Sequence, residues 1–281
     1  MKGPLKKGPI ALIGARGQLG QDLQALLSKE SLHAFSRLDL DVLDFARVRE
    51  VLSHLSPVLV INTSFYNRVD DCEREMERAF SVNAFAVRHL AEVCRDLGCP
   101  LVHFSTDYVF DGLKGTPYLE EDPPGPLNVY GASKLLGESW IRVTWEWHFI
   151  VRTSALFGIS GSRGKGGNFV ETMIRLAKEK RPIRVVQDQV TSPTFTGDLA
   201  TAVVKLIEEA PFGTYHLTPG ARRPGSISPG PFSNPKASHR TSLPSRAGTS
   251  GPRLAVPPPR SWRTGGGRSL AFNLFPHGRW A

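Results

Sequence analysis

As far as about Thr218 the chain alternates short apolar runs with longer segments whose apolar residues recur every three or four positions. Successive strand side chains point to opposite faces, whereas helix residues three and four apart share one, so the short runs read as buried strands and the longer segments as helices. The pattern predicts strands at residues 10–13, 34–35, 58–62, 101–105 and 149–153, with helices at 18–27, 46–52, 76–97 and 130–143 between them. Such alternation gives an α/β fold with a doubly wound parallel sheet, whose ligands bind beyond the carboxyl ends of the strands. A second region carries a helix at 169–178, a short strand at 183–186 and a helix at 198–209, and reads as part of a smaller substrate lobe. The expected organisation is a dinucleotide-binding domain over residues 1–155, a partial lobe over 156–218 and a segment of different character over 219–281.

Charge changes the picture less than its total suggests. The formal net charge of +9 invites a nucleic-acid or membrane partner, but residues 219–281 hold nine Arg, one Lys and no acid, which leaves the body close to neutral. The apolar run at 10–13 enters a glycine turn and is too short for a signal-peptide core or a membrane span, so a cytoplasmic protein without a membrane partner is expected. Cys72, Cys94 and Cys99 form no CxxC pair and no even set, which argues against a disulfide framework or a metal site. Cys94 sits on an apolar helix face and reads as a buried thiol.

Three motifs carry chemistry. Gly14, Gly17 and Gly20 in GARGQLG follow the first strand and open a helix, where a tight turn lets the backbone approach a pyrophosphate at the helix amino terminus. The second strand ends on Phe35, Ser36 and Arg37 without an acid, and a guanidinium there can pair with a 2′-phosphate, so NADPH is favoured with NADH as the second option. Tyr130 and Lys134 lie four apart at a helix start, preceded by Ser105, Thr106 and Asp107 at a strand end. An ammonium beside a phenol favours phenolate, which is expected to draw the Tyr130 pKa down toward a range useful for proton transfer.

At these residues the chain resembles the dTDP-4-dehydrorhamnose reductases, within the Rossmann-like extended short-chain dehydrogenase superfamily. The likeness runs from Ile10 to about Thr218 and includes GARGQLG, LDLDVLD, VINTSFYNRVDDCE, VNAFA, STDYVFDG, PLNVYGASKLLGE, VRTSALFG and GTYHLT. It implies NADPH-dependent reduction of the 4-keto group of a dTDP-sugar, dTDP-4-dehydro-L-rhamnose, to dTDP-L-rhamnose. By the same match Tyr130 donates the proton, Thr106 binds the carbonyl oxygen, and Lys134 holds the nicotinamide ribose and tunes Tyr130. The cofactor would meet Gly14, Arg16, Gly17, Gln18, Leu19, Gly20, Ser36, Arg37, Asp39, Leu40, Thr63, Ser64 and Tyr66. The sugar would meet Val69, Ser105, Thr106, Tyr108 and Tyr130. Ser64, Phe65, Tyr66 and Asn67 replace the family's usual AAYT, and Ala155 stands where many members place a Trp, which leaves the sugar's identity open. Asp22 matches a magnesium-binding position at a dimer contact in some members, but its partners there fall partly in the altered segment, so no metal is expected. A homodimer stays open.

Beyond Thr218 the family continues into a helix beginning roughly SWYEFA, whereas this chain holds eleven of its 22 prolines there. That composition, without acids or apolar period, argues for a disordered segment. One reading is a basic tail for an acidic partner. The preferred reading is a shifted frame: GSISPGPFS at residues 225–233, moved by one base with suitable synonymous codons, reads WFDFARAIF, an aromatic helix at the expected place. Other functions weighed are a noncatalytic NADP-binding regulatory subunit like that of methionine adenosyltransferase, a nucleotide-sugar epimerase, and a nucleic-acid binder; the last lacks any recognition module.

Overall fold

The computed structural model describes residues 7–27, 31–160, 167–181, 183 and 191–219. Residues 184–186 of the strand expected at 183–186, and the tail from residue 220, fall outside the described residues. The strands are β1 (Ile10–Ile13), β2 (Leu32–Phe35), β3 (Leu59–Asn62), β4 (Leu101–Thr106), β5 (His148–Thr153), β6 (Leu156–Phe157), β7 (Thr194–Phe195) and β8 (Gly213–His216). Six form one sheet in the order β2-β1-β3-β4-β5-β8, every pairing parallel, and β6 pairs with β7 separately. The helices are α1 (Gln18–Leu26), α2 (Phe45–Leu55), α3 (Val69–Cys72), α4 (Met76–Phe80), α5 (Ala86–Leu97), α6 (Val129–Thr144), α7 (Phe169–Lys178) and α8 (Thr196–Glu209).

Alternation along the central strands divides the core. Ile13, Val60, Leu101 and Ile150 face α2 and α5, burying Val48, Leu52, Leu90 and Val93. Leu12, Ile61, Val102 and Val151 face the other way, onto Leu19 and Leu23 of α1 and Leu199, Val203 and Leu206 of α8. Residues buried on both faces of a parallel sheet appear as unbroken apolar runs, which is why these strands stand out in the sequence. Local chemistry sets the helix ends. Asp44 accepts from Arg47 N at 3.0 Å to start α2, and Asn128 accepts from Gly131 N at 2.7 Å to start α6. Gly98, with φ 62°, closes α5 in the left-handed conformation. Among the described residues no helix is long and apolar enough to cross a membrane.

Two expectations are corrected. The helix predicted over 76–97 is broken by a π-helical turn at Ser81–Phe85, which turns the fully buried Asn83 inward. Repeat spacing alone does not reveal one extra residue in a turn. The division at 155/156 also misplaces two elements: α8 packs on α1, and β8, read only as a motif, is the sixth strand of the main sheet. What remains of a separate lobe in the described residues is β6, β7 and α7, whose exposed Phe169, Val170 and Ile174 lack a buried face.

Candidate active site

At the carboxyl end of β1 the chain turns through Gly14, whose φ of 87° suits glycine; a Cβ there would sit 2.6 Å from Thr63 Oγ1 and 2.8 Å from the Ser64 backbone. A Cβ on Gly20 would lie 2.5 Å from Gly14 O, so α1 can start this close to the strand only with glycine there. No side chain caps α1 and no acid lies in its first turn, leaving its amino end suited to a phosphate. Beside it lies a cleft of about 500 Å³ lined by Ala15, Arg16, Gln21, Ser36 and Asp39 among others. Thr63 closes the turn by donating to Ile13 O at 2.8 Å, and Gln18 accepts from Asn168 at the start of α7. Leu19 and Leu40 are core side chains, so only their backbone could meet a ligand. These features fit a dinucleotide.

Arg37 is not in the lining of this cleft. Its guanidinium is exposed and pairs with Asp41 at 3.0 Å. Asp39, which the resemblance places at the cofactor, folds back to the end of β2: its carboxylate accepts from Ser36 N and Ser36 Oγ at 2.8 and 2.6 Å. Those bonds from Ser36, with a smaller contribution from Arg16, hold Asp39 below its ordinary range. The basic side chain of the cleft is therefore Arg16, opposed by Asp39. Arg16→Ala is expected to weaken NADPH binding about tenfold while changing NADH less, as loss of a charge-assisted phosphate contact of roughly 1.5 kcal/mol would; Arg37→Ala should leave the ratio intact. Fluorescence titration of both dinucleotides decides, and a preference lost only in Arg37→Ala would reject the reassignment.

The second group lies past β4. Tyr130, in the first turn of α6, packs with Tyr66, Val69 and Tyr108 in one cluster, its ring edge-on to Tyr108 at 5.6 Å. Arg78 covers the Tyr66 ring at 4.8 Å. Thr106 donates to Asp107 Oδ1 at 3.0 Å and accepts from Tyr108 N at 3.2 Å, while Ser154 donates to the other Asp107 oxygen at 2.8 Å. Ser105 is not brought to this cluster; its side chain is buried. Ala155 is exposed, with a left-handed φ of 44°.

Electrostatics here reverse one expectation. Burial pushes the Tyr130 phenol well above its ordinary range, against a hydrogen bond with Thr106 that acts to lower it. Lys134 brings at most a partial compensating charge at neutral pH, because burial lowers it to about 7, with Glu138 opposing. Behind the pair, α6 is anchored to β5 by Glu138 and Arg152, which are 0% and 2% exposed and joined by hydrogen bonds of 2.9 and 2.7 Å. Close approach makes this possible: a Cβ on Gly131 would lie 2.1 Å from Tyr108 O, and one on Gly137 2.3 Å from Asn83 O. Asn83 donates to Tyr66 O and Ser133 Oγ, both at 3.0 Å, and accepts from Tyr66 N at 2.8 Å. Neither Asn83 nor His103, considered below, was singled out by the sequence.

The sheet order, the glycine turn opening α1 and the Tyr130 to Lys134 helix define an α/β protein of the extended short-chain dehydrogenase class. A spore coat polysaccharide biosynthesis protein, SpsK, of Bacillus subtilis (strain 168) is 41% identical over 211 residues, 74% of this chain and 72% of that protein. A dTDP-4-dehydrorhamnose reductase of Streptomyces griseus is 40% identical over 213 residues, covering 73% and 68%. The crystal structure of a dTDP-4-dehydrorhamnose reductase from Bacillus anthracis in complex with NADP superposes with a TM-score of 0.72 at 39% identity, covering 77% of this chain and 76% of that one. Residues 8–223 match the family described as the RmlD substrate binding domain, and the chain belongs to that family.

Proposed function

We propose that the protein is an oxidoreductase that reduces the 4-keto carbon of dTDP-4-dehydro-L-rhamnose with NADPH, giving dTDP-L-rhamnose. The observation that carries this reading is the meeting of Tyr130, Thr106 and Tyr108 beyond β4 in the same sheet whose β1 end forms the dinucleotide turn. Relatives named as reductases support it over a noncatalytic subunit. NADPH supplies the hydride. Tyr130 donates its phenolic proton to the carbonyl oxygen as that oxygen gains charge, and the burial that raises its pKa keeps the proton in place at neutral pH, the state a donor requires. Thr106 turns its hydroxyl from Asp107 to the same oxygen, while Ser154 keeps the Asp107 carboxylate in position.

The same reading places the enzyme in the cytoplasm, allows a homodimer and assigns no nucleic-acid partner. It also retains the shifted frame. Sugar-dependent NADPH oxidation is expected from a chain whose frame is restored after Thr218, with little or none from the 281-residue chain. Absence of oxidation in both, across several dTDP-4-keto sugars, would reject the assigned reaction.

A further inference from the structure

A chain of hydrogen bonds runs into the site from the sheet and ends on Lys134. Asn62 closes β3, and the parallel register sets it beside His103 of β4. Asn62 Oδ1 accepts from Ser64 N at 3.0 Å and from Ser64 Oγ at 2.5 Å. A backbone N–H can only donate, so the amide oxygen must face Ser64 and the amide nitrogen must face His103 Nδ1, 3.2 Å away. That nitrogen too can only donate, which makes Nδ1 the acceptor and places the single proton of a neutral imidazole on Nε2. Nε2 lies 3.0 Å from Lys134 Nζ.

An ammonium and an N–H are both donors and cannot bond to each other. The contact is a hydrogen bond only when Lys134 is a neutral amine that accepts from Nε2–H. The groups that favour an ammonium here are weak ones. Phe65 offers its ring face at 5.3 Å, Tyr130 lies one turn earlier on α6, and Glu138, one turn later, is already engaged by Arg152 and Arg142 at 2.7 and 2.6 Å. His103 is itself fully buried, and burial above all keeps it from protonating. The low Lys134 value of about 7 agrees with this arrangement.

We propose that His103 is a positioning residue for Lys134: it holds the side chain as a neutral amine in the cofactor-free protein, so that binding of NADPH requires Lys134 to leave His103 and take one proton from solvent. This rests on the cofactor reading above, in which the ammonium is the form that would donate to ribose hydroxyls. Above about pH 7 the free protein then buries no unpaired ammonium beside the phenol. The positive charge arises only when there are acceptors for it.

The test uses the full chain carrying [13C]lysine. The Lys134 13Cε signal, assigned by its loss in Lys134→Met, is followed against pH with and without NADPH. Its midpoint should fall near 7 in the free chain and rise by about one pH unit or more in His103→Gln, whose amide oxygen can accept from both Asn62 and an ammonium. Adding NADPH at pH 8 should return the signal to the ammonium form, with uptake of close to one proton measured by calorimetry in two buffers. NADH controls for titration of the 2′-phosphate. A free-chain midpoint near that of ordinary lysine, about 10, overturns the proposal without needing any His103 variant, as does an unchanged midpoint in folded His103→Gln. A signal that stays with the neutral amine although NADPH binds overturns the coupling. Failure of any dinucleotide to bind counts against the cofactor reading instead, while the free-chain titration still decides the role of His103.

Discussion

Tyr130→Phe is expected to lower turnover of the keto-sugar by about 10² to 10⁴, the usual cost of removing a general acid, while leaving NADPH affinity within about twofold. The phenol is 7% exposed and its ring packs against Tyr108, so Phe keeps the packing and loses only the donor. The pH profile carries a second signature. A proton donor whose pKa is raised is lost only as pH climbs through that raised value, so Tyr130 should impose no fall in rate between neutral and mildly alkaline pH. Stopped-flow NADPH oxidation on the frame-restored chain measures both. A variant that turns over at the parental rate would move the proton-donor role to another group.

Glu138→Leu is expected to destabilise the protein by about 3 to 5 kcal/mol, because it leaves the Arg152 guanidinium buried without its partner. The combined Glu138→Leu and Arg152→Met chain should recover most of that loss, since apolar groups of similar volume can replace a buried pair. Urea denaturation of the three chains distinguishes pair from position; a single variant costing less than about 1 kcal/mol would show that the pair does not anchor α6. Burial pushes the Glu138 carboxyl up, but Arg152 outweighs it and the value lies below the ordinary range. Its contribution is therefore present above an unfolded value of about 4.3 and fades as pH falls through the depressed one.

The parts of the fold that could be read beforehand are those in which one residue type repeats for a single physical reason. β1 and α7 appear at the expected residues, and β3, β4 and β5 differ at their ends by one residue. Gly14, Gly20, Tyr130 and Lys134 were legible because close backbone approach and helix spacing are local properties. β8 was not read as a strand, since three of its four residues are only partly buried and it opens on Gly213. Asp39 came from the resemblance alone, and its place at the end of β2 was not legible because its carboxylate gets there through a turn back to Ser36, three positions before it. His103 and Asn62 lie inside apolar runs, and their meeting depends on the β3–β4 register, which a slip of one residue would abolish. The ion pair of Glu138 and Arg152 joins two motifs that were read separately, and only the packing of α6 on β5 brings them together.

The wide turn at Ser81–Phe85 makes chain length itself a determinant of the site. Each helical residue advances the spiral by about 100°, and a π turn accommodates one residue more than an α turn. Deleting a residue from this turn would yield a more regular helix and leave the faces of α4 and α5 where they are, since the extra residue is taken up within one turn, but it would reset the positions inside the turn itself. Asn83, which lies within the turn, would then no longer grip the Tyr66 backbone and Ser133 together. Most surface loops of such a fold can gain or lose residues as the lineage drifts. Here a gap of one residue, conservative in composition and favourable to helix regularity, would detach one wall of the site from the helix that carries Tyr130.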